Sequence, residues 1–215
     1  MPWPMVHFEI SNNLYKGNPT PNLLLGSIAP DAIHVRGQIS REEKGVTHLV
    51  RNGKLPSVKL IMEKFKENLP KQSESEWKDF VVGYFTHIYT DVRWTDTLYA
   101  EFEQVYVGDT IRSTYNQEVS QVEFELQRSI RNYDEIIKLL TRAKGYAVDP
   151  CITQSEVNAY RDLKMKWLQD PYNEPNIKPI YFKAQKVNQF IEETSKEIEN
   201  LLKEYDIERR VNAER

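Results

Sequence analysis

The segment WKDFVVGYFTHIYTDVRW, residues 77–94, constrains the fold more than any other part of the chain. Its apolar residues recur at helical spacing and form one continuous stripe, which is typical of a helix buried along that face. The members of the stripe are Trp77, Phe80, Val81, Tyr84, Phe85, Ile88 and Val92. At about 100° per residue, His87 and Asp91 project in the same direction as Phe80. The sequence therefore predicts an interior helix that carries a histidine and a carboxylate one turn apart.

The predicted position of Asp91 requires a partner for its charge. A carboxylate taken out of water costs several kcal/mol unless it is paired, hydrogen-bonded or bound to a metal. One candidate partner is His87, which lies at helical hydrogen-bonding distance. The other is a divalent cation that both side chains bind, and the HxxxD spacing suits either arrangement.

Two further histidines are predicted to point inward. His7 shares a helical face with Ile10 and Leu14, and His48 lies between a threonine and a leucine after a charged stretch. Each is either a packed core histidine or a metal ligand. All histidines of the chain lie within its first 87 residues, and this uneven placement favours a common site.

An apolar run, LLLGSIAPDAIHVR at residues 23–36, ends in another pair of candidate donors. The run is broken at Gly26 and Pro30 and brings Asp31 and His34 to its end. Asp31 is either the N-cap of the following turn or a ligand. Zinc accepts imidazole nitrogen and carboxylate oxygen. The predicted ligands are His7, Asp31, His48, His87 and Asp91.

These residues, with the segments LGSIAPD and GYFTHIYTD, resemble the bacterial zinc-dependent phospholipase C family and the related P1-type nucleases. The resemblance covers roughly the first half of the chain. It implies an all-α fold, a multi-helix bundle with the metal site between core helices. It implies that one ion is held by Asp31, His48, His87 and Asp91. A second ion would be held by His7 together with Asp91, which would bridge the two.

The second half of the chain departs from that family. Later histidines hold a further ion there, whereas no histidine follows His87 here. Secreted members also bind metal through a terminal tryptophan, whereas Trp3 follows Met1 and Pro2. We therefore expect one or two Zn²⁺ ions, and another divalent metal is an alternative.

The function expected from these features is zinc-dependent hydrolysis of phosphoesters by a metal-activated water. Asp31 is the candidate to orient or deprotonate that water, and His34 is a candidate proton donor or an ordinary surface histidine. Arg36 and Arg93 are candidate phosphate-binding residues because a guanidinium binds two oxygens at once, with surface ion pairing as the alternative. The substrate would be a small phosphoester or a lipid head group.

Two other classes of protein are weighed against the hydrolase. In the first, a non-catalytic helical protein uses the ion to hold helices together, or serves as an interaction scaffold. A structural ion is closed by four protein ligands, whereas a catalytic ion keeps an open position. The second is an HD-type phosphohydrolase, which fits less well because the sequence lacks an adjacent His-Asp pair.

Charge and composition exclude several partners. The net charge of −3 and the pI near 5.9 give no general attraction to nucleic acid. No apolar stretch reaches the length of a membrane span. Cys151 is the single cysteine, so an intrachain disulfide is excluded. The start MPWPMVHFEI lacks the features of a secretory signal, and we expect a cytoplasmic protein.

The expected organisation is a single helical domain over residues 1–215. Helices are predicted at about 4–16, 56–68, 74–93, 95–107, 117–144, 153–168 and 182–208. Residues 36–54 are expected to form a loop that brings His48 over the central helix. Residues 169–182, rich in proline and asparagine, are predicted to be an extended connection. Residues 183–215 would form a C-terminal helix that packs on the body or extends from it, and that is a possible surface for homo-oligomers.

Overall fold

The computed structural model describes residues 3–130 and 132–205, and these residues form an all-helical protein. Its α-helices are α1 (Pro4–Leu14), α2 (Pro21–Gly26), α3 (Arg41–Thr47), α4 (Val58–Asn68), α5 (Ser75–Trp94), α6 (Ala100–Val105), α7 (Ile111–Ser129), α8 (Tyr133–Arg142), α9 (Gln154–Gln169) and α10 (Ala184–Glu204). Short 3-10 helices span Ala29–Arg36, Leu69–Lys71 and Pro171–Asn173. Two isolated bridges, Arg51 with Lys54 and Val148 with Ile152, are the only β-type pairing within the described residues.

Helix α5 lies at the centre of the fold. It packs against α1, α2, α4 and α10. The apolar stripe predicted for residues 77–94 is buried, and so are His87 and Asp91. A π-helical turn, Thr95–Tyr99, joins α5 directly to α6. The two helices predicted for 74–93 and 95–107 are therefore one continuous helix with a bulge, and such bulges are frequent at functional sites.

A close approach of α2 and α5 depends on two glycines. A Cβ on Gly26 would overlap the carbonyl oxygen of Phe80, and a Cβ on Gly83 would overlap that of Leu23. Because neither residue has a side chain, the two backbones pack in direct contact. This contact brings the end of α2 beside His87, which lies one turn after Gly83.

The structure departs from the sequence-based helix limits in several places. Helix α2 and the 3-10 helix Ala29–Arg36 were not predicted, and α7 begins at Ile111 rather than near residue 117. Residues 36–54 were expected to be a loop, but they contain α3, which begins with a capping box between Ser40 and Glu43. The helix predicted for 117–144 is divided, because Ile130 takes an extended conformation after α7. Helix α8 then packs against α2. This tertiary contact outweighs the local preference for one long helix.

The C-terminal part of the chain returns to the central helices. After Pro171–Asn173, the chain runs without a helix to α10, whose apolar face packs against α1 and α5. The predicted helix 182–208 and the segment 183–215 extend into residues 206–215, which lie outside the described residues. Across 3–130 and 132–205, none of the helices has the length and apolar character required to cross a bilayer.

Candidate metal centre

Four separate elements bring the predicted ligands together in the interior. His7 lies on α1, Asp31 on the 3-10 helix Ala29–Arg36, His48 directly after α3, and His87 and Asp91 on α5. All are buried except Asp31, whose side chain is 17 % exposed. The centre is thus closed on the side of α1 and α5 and open at Asp31.

The donor atoms of four residues converge on one point. The Nε2 atom of His48 lies 3.2 Å from Nε2 of His87 and 3.3 Å from Oδ2 of Asp91. It also lies 3.4 Å from Oδ1 of Asp31. The Nε2 atom of His87 is 3.4 Å from the same Asp91 oxygen. Two imidazoles and two carboxylates therefore face each other at distances that one small cation could span.

Backbone carbonyls determine which nitrogen of each imidazole carries its hydrogen. Nδ1 of His87 lies 2.8 Å from the carbonyl oxygen of Ser27, which only accepts, so this Nδ1 is the donor. Nδ1 of His48 lies 3.1 Å from the carbonyl oxygen of Lys44. The Thr47 hydroxyl beside it already donates to the same carbonyl. In the neutral tautomers both Nε2 atoms then carry a free lone pair, and metal-binding histidines are usually oriented in this way.

The buried ring of His7 lies against the ring of His87 and near Asp91. Its ring stacks on that of His87, with centroids 4.0 Å apart, and its Nε2 lies 3.7 Å from Oδ1 of Asp91. Among the described residues neither ring nitrogen has a hydrogen bond. Burial lowers its pKa to about 3, so the ring is neutral. A buried polar group normally has a hydrogen bond, so the lack of one makes His7 a candidate metal ligand.

The two aspartates have few hydrogen bonds, although Asp31 forms an ion pair with Lys44 at 3.0 Å. Among the described residues, both oxygens of Asp91 and Oδ1 of Asp31 have none. Burial alone would raise the pKa of Asp91, but His87 and His48 hold it well below its usual value. Burial is likewise outweighed at Asp31, whose pKa is lowered by Lys44 and His48. Both carboxylates are therefore held in the charged form: Asp31 is paired with Lys44, and the charge of Asp91 could be balanced by a metal ion or by a protonated imidazole.

The donor set fits a divalent cation. Two groups of residues each bring three candidate ligand atoms within 4.8 Å of one another. The first group is His7, His87 and Asp91, and the second is Asp31, His48 and His87. Both groups need Nε2 of His87, because its Nδ1 is committed to Ser27. One ion that uses His87 is therefore the simplest arrangement, and a second would rely on His7 and Asp91.

A cleft of about 860 Å³ opens at the exposed edge of the centre. Asp31 is the only carboxylate among the described residues that line it, whereas four cationic side chains face it. These are Arg41, Lys44, Arg112 and Lys164. The cleft therefore suits an anionic ligand beside a cation-binding centre.

The remaining predicted site residues lie at different distances from this centre. His34 lines the cleft, and its Nε2 lies 3.6 Å from Oδ1 of Asp31 and 3.1 Å from Nζ of Lys44. Arg36 is bound to Glu156 through two hydrogen bonds. Arg93 is bound to Glu197 in the same way. Both arginines thus form the ion pairs that were the alternative to phosphate binding.

Two lysines of the cleft were not among the site residues predicted from the sequence. Lys44 is ion-paired with Asp31 at 3.0 Å. Lys164 lies on α9, and Tyr160 and Trp167 lie one turn before it and one turn after it. This aromatic–lysine–aromatic spacing was visible in the sequence, but its location beside Asp31 depends on the packing of α9 against Ala29–Arg36.

Comparisons with known proteins identify no relative. No protein-family model matches the chain, and no curated protein or solved structure matches it. The resemblance to the zinc-dependent phospholipase C family stays a prediction, and the function has to be argued from the centre itself.

Proposed function

We propose that this protein is a divalent-metal-dependent hydrolase of phosphoesters, with zinc as the first candidate metal. The observation that carries the proposal is the convergence of two imidazole lone pairs and two charged carboxylates around Nε2 of His48. Such a cluster repels itself unless a cation lies between its members. Imidazole with carboxylate is a donor set that zinc binds well.

The residues around the centre supply the other parts of such a site. The carbonyls of Ser27 and Lys44 orient His87 and His48. Asp31, which is both a donor and exposed to the cleft, is the candidate to orient water. A divalent ion supplies Lewis-acid activation of water and neutralises charge on a phosphoryl oxygen. The cationic cleft favours a substrate that carries negative charge.

The direct test is the metal content of the purified protein. We expect one or two equivalents of a divalent metal by elemental mass spectrometry in the wild type, and loss of that metal in His87→Ala. His34→Ala removes a histidine from the cleft but not a predicted ligand, so it should keep its metal. The metal-loaded wild type should hydrolyse an activated phosphodiester, and His87→Ala should not.

Two results would contradict this function. One is a wild-type protein that holds no divalent metal even after dialysis against zinc. The other is equal metal content in the wild type and in His87→Ala, with circular dichroism showing that both are folded. If the protein bound metal but did not hydrolyse the phosphodiester, the metal centre would be supported and the hydrolase activity would be rejected.

A second candidate is a non-catalytic core in which a proton takes the place of the metal. The charges favour it: Lys44 balances one of the two aspartates, and a proton on His48 would balance the other. Burial would lower the pKa of His48, but its contacts with Asp31 and Asp91 raise it to about 9. A metal ion bound by His7, His87 and Asp91 would also give the buried His7 ring a partner, which a proton on His48 does not, and for this reason we favour the metal.

A further inference from the structure

Lys164 occupies an unusual position for a lysine. Its Nζ lies 4.9 Å from the centroid of the Trp3 ring, 5.4 Å from that of Tyr160 and 5.9 Å from that of Trp167. Three aromatic faces thus hold the ammonium group at the wall of the cleft. Cation–π contacts of this kind fix a cation without neutralising it.

The other three cations of the cleft are in different surroundings. Lys44 is paired with Asp31, while Arg41 and Arg112 are exposed to water. Lys164 is half-buried, and among the described residues it has neither an ion pair nor a hydrogen bond. Burial lowers the pKa of its amine more than the nearby carboxylates of Asp31 and Glu123, neither of which forms an ion pair with it, raise it. A cation removed from water without an anionic partner is costly, and an anion that enters the cleft would remove that cost.

We propose that Lys164 binds a phosphoryl oxyanion in the cleft and so selects substrates that carry a phosphate group. Helix α9, which carries Lys164, packs against the 3-10 helix that carries Asp31, so both side chains face the same space. A lysine ammonium has three N–H bonds, and all of them can donate to the oxygens of a phosphate. This proposal rests on the proposed function for the reaction, but the binding step does not require the metal.

The test is phosphate binding to the metal-free protein. Isothermal titration calorimetry with inorganic phosphate, at constant ionic strength, should give a Kd that rises roughly tenfold or more in Lys164→Met. Lys166→Met removes the same charge from the same helix at an exposed position outside the cleft. It should change the Kd by less than about twofold, since it alters only the distant field. Lys164→Arg should retain most of the affinity.

A second measurement uses the wild-type chain alone, so it is independent of how the variants fold. Phosphate should slow the acetylation of Lys164 by acetic anhydride, followed by mass spectrometry, and leave that of Lys166 unchanged. Titration with dimethyl phosphate distinguishes an esterified phosphate from the free ion. Whichever of the two binds more tightly identifies the form of phosphate that the cleft accepts. Loss of that binding in Lys164→Met supports the proposal.

The proposal is overturned if the wild type shows no phosphate binding and no protection of Lys164. It is also overturned if Lys164→Met and Lys166→Met change the Kd by the same factor. Because these titrations use metal-free protein, they can fail while the metal centre stands. Likewise, a finding that the protein binds no metal would not affect the result of the phosphate titrations.

Discussion

Glu118 and Asp91 are equally buried carboxylates in two parts of the same molecule, and their surroundings are opposite. Glu118 is 3 % exposed and Asp91 is 2 % exposed. The carboxylate of Glu118 accepts hydrogen bonds from the backbone N–H groups of residues 180, 181 and 182, at 2.8–3.0 Å. Within the described chain, neither oxygen of Asp91 accepts one.

This difference separates a structural carboxylate from a ligand-binding one. The charge of Glu118 is solvated by donors of the chain itself, and in return it fixes the connection that leads into α10. Asp91 faces three imidazoles, and two of them, His48 and His87, offer it no hydrogen in the neutral tautomers that their backbone partners assign. A buried charge without donors needs a partner from outside the chain. The number of internal donors, rather than burial alone, is therefore the basis on which we propose Asp91, and not Glu118, as a cation ligand.

Replacing Asp91 should have the largest effect on metal binding. Structural zinc sites bind with roughly 10–16 kcal/mol, so one of four ligands contributes about 3 kcal/mol or more. Asp91→Asn should therefore weaken zinc binding by at least about 100-fold, as measured by competition with a chelating dye. The metal-free variant should be at least as stable as the wild type, because an unpaired buried charge is removed.

The matched control is Asp96→Asn, an exposed aspartate that follows the same helix. It should bind zinc as the wild type does. If Asp91→Asn retained full zinc affinity, the distinction between Asp91 and Glu118 would be lost.

Replacing Glu118 should lower the stability of the protein and leave its metal binding unchanged. Glu118→Ala leaves three backbone N–H groups without their acceptor, and we expect a loss of roughly 3 kcal/mol in the free energy of unfolding. Urea denaturation measures this loss. Metal content should not change as long as the variant is folded, since Glu118 is outside the centre. Glu118→Gln, which keeps one acceptor oxygen, should lose less than the alanine variant.

Much of the centre follows from local sequence rules. The stripe of residues 77–94 predicts the buried helix, and a four-residue spacing places His87 and Asp91 on its inner face. His7 follows from the same periodicity. These predictions hold because helix periodicity fixes direction wherever a long apolar stripe is present.

Other features depend on contacts between distant segments. The break after α7 at Ile130 has no proline or glycine to mark it, and it follows from the packing of α8 against α2. Lys164 lies beside Asp31 only because α9 packs against Ala29–Arg36. The ion pairs that hold Arg36 and Arg93 join residues more than 100 positions apart. Such pairs cannot be derived from spacing within one helix.

Glu123 provides an intermediate case between Glu118 and Asp91, and it predicts the smallest effect. One of its oxygens accepts a hydrogen bond of 2.9 Å from the backbone N–H of Met5, at the start of α1. The other, Oε1, has no hydrogen bond among the described residues. Burial raises the pKa of this carboxyl to about 8 from an ordinary value of 4.5. With one donor instead of three, and without a convergent set of imidazoles, Glu123 is neutral at pH 7.

The sign of the pH dependence follows from that shift. Between pH 4.5 and about 8 the folded state keeps a proton on Glu123 that the unfolded state releases. The free energy of unfolding should therefore fall as pH rises through this window, by up to about 1.4 kcal/mol per unit. Glu123→Gln keeps an acceptor for Met5 and cannot ionise, so its stability relative to the wild type should increase with pH.

Urea denaturation of both chelator-treated proteins from pH 5 to pH 8 measures this difference, and the contributions of all other groups cancel in it. Glu103→Gln, at an exposed position, serves as the reference variant. A flat difference for Glu123→Gln as well would mean that Glu123 is ionised when folded. Its charge would then be balanced within the chain, and Lys164 is the cation that acts on this carboxyl.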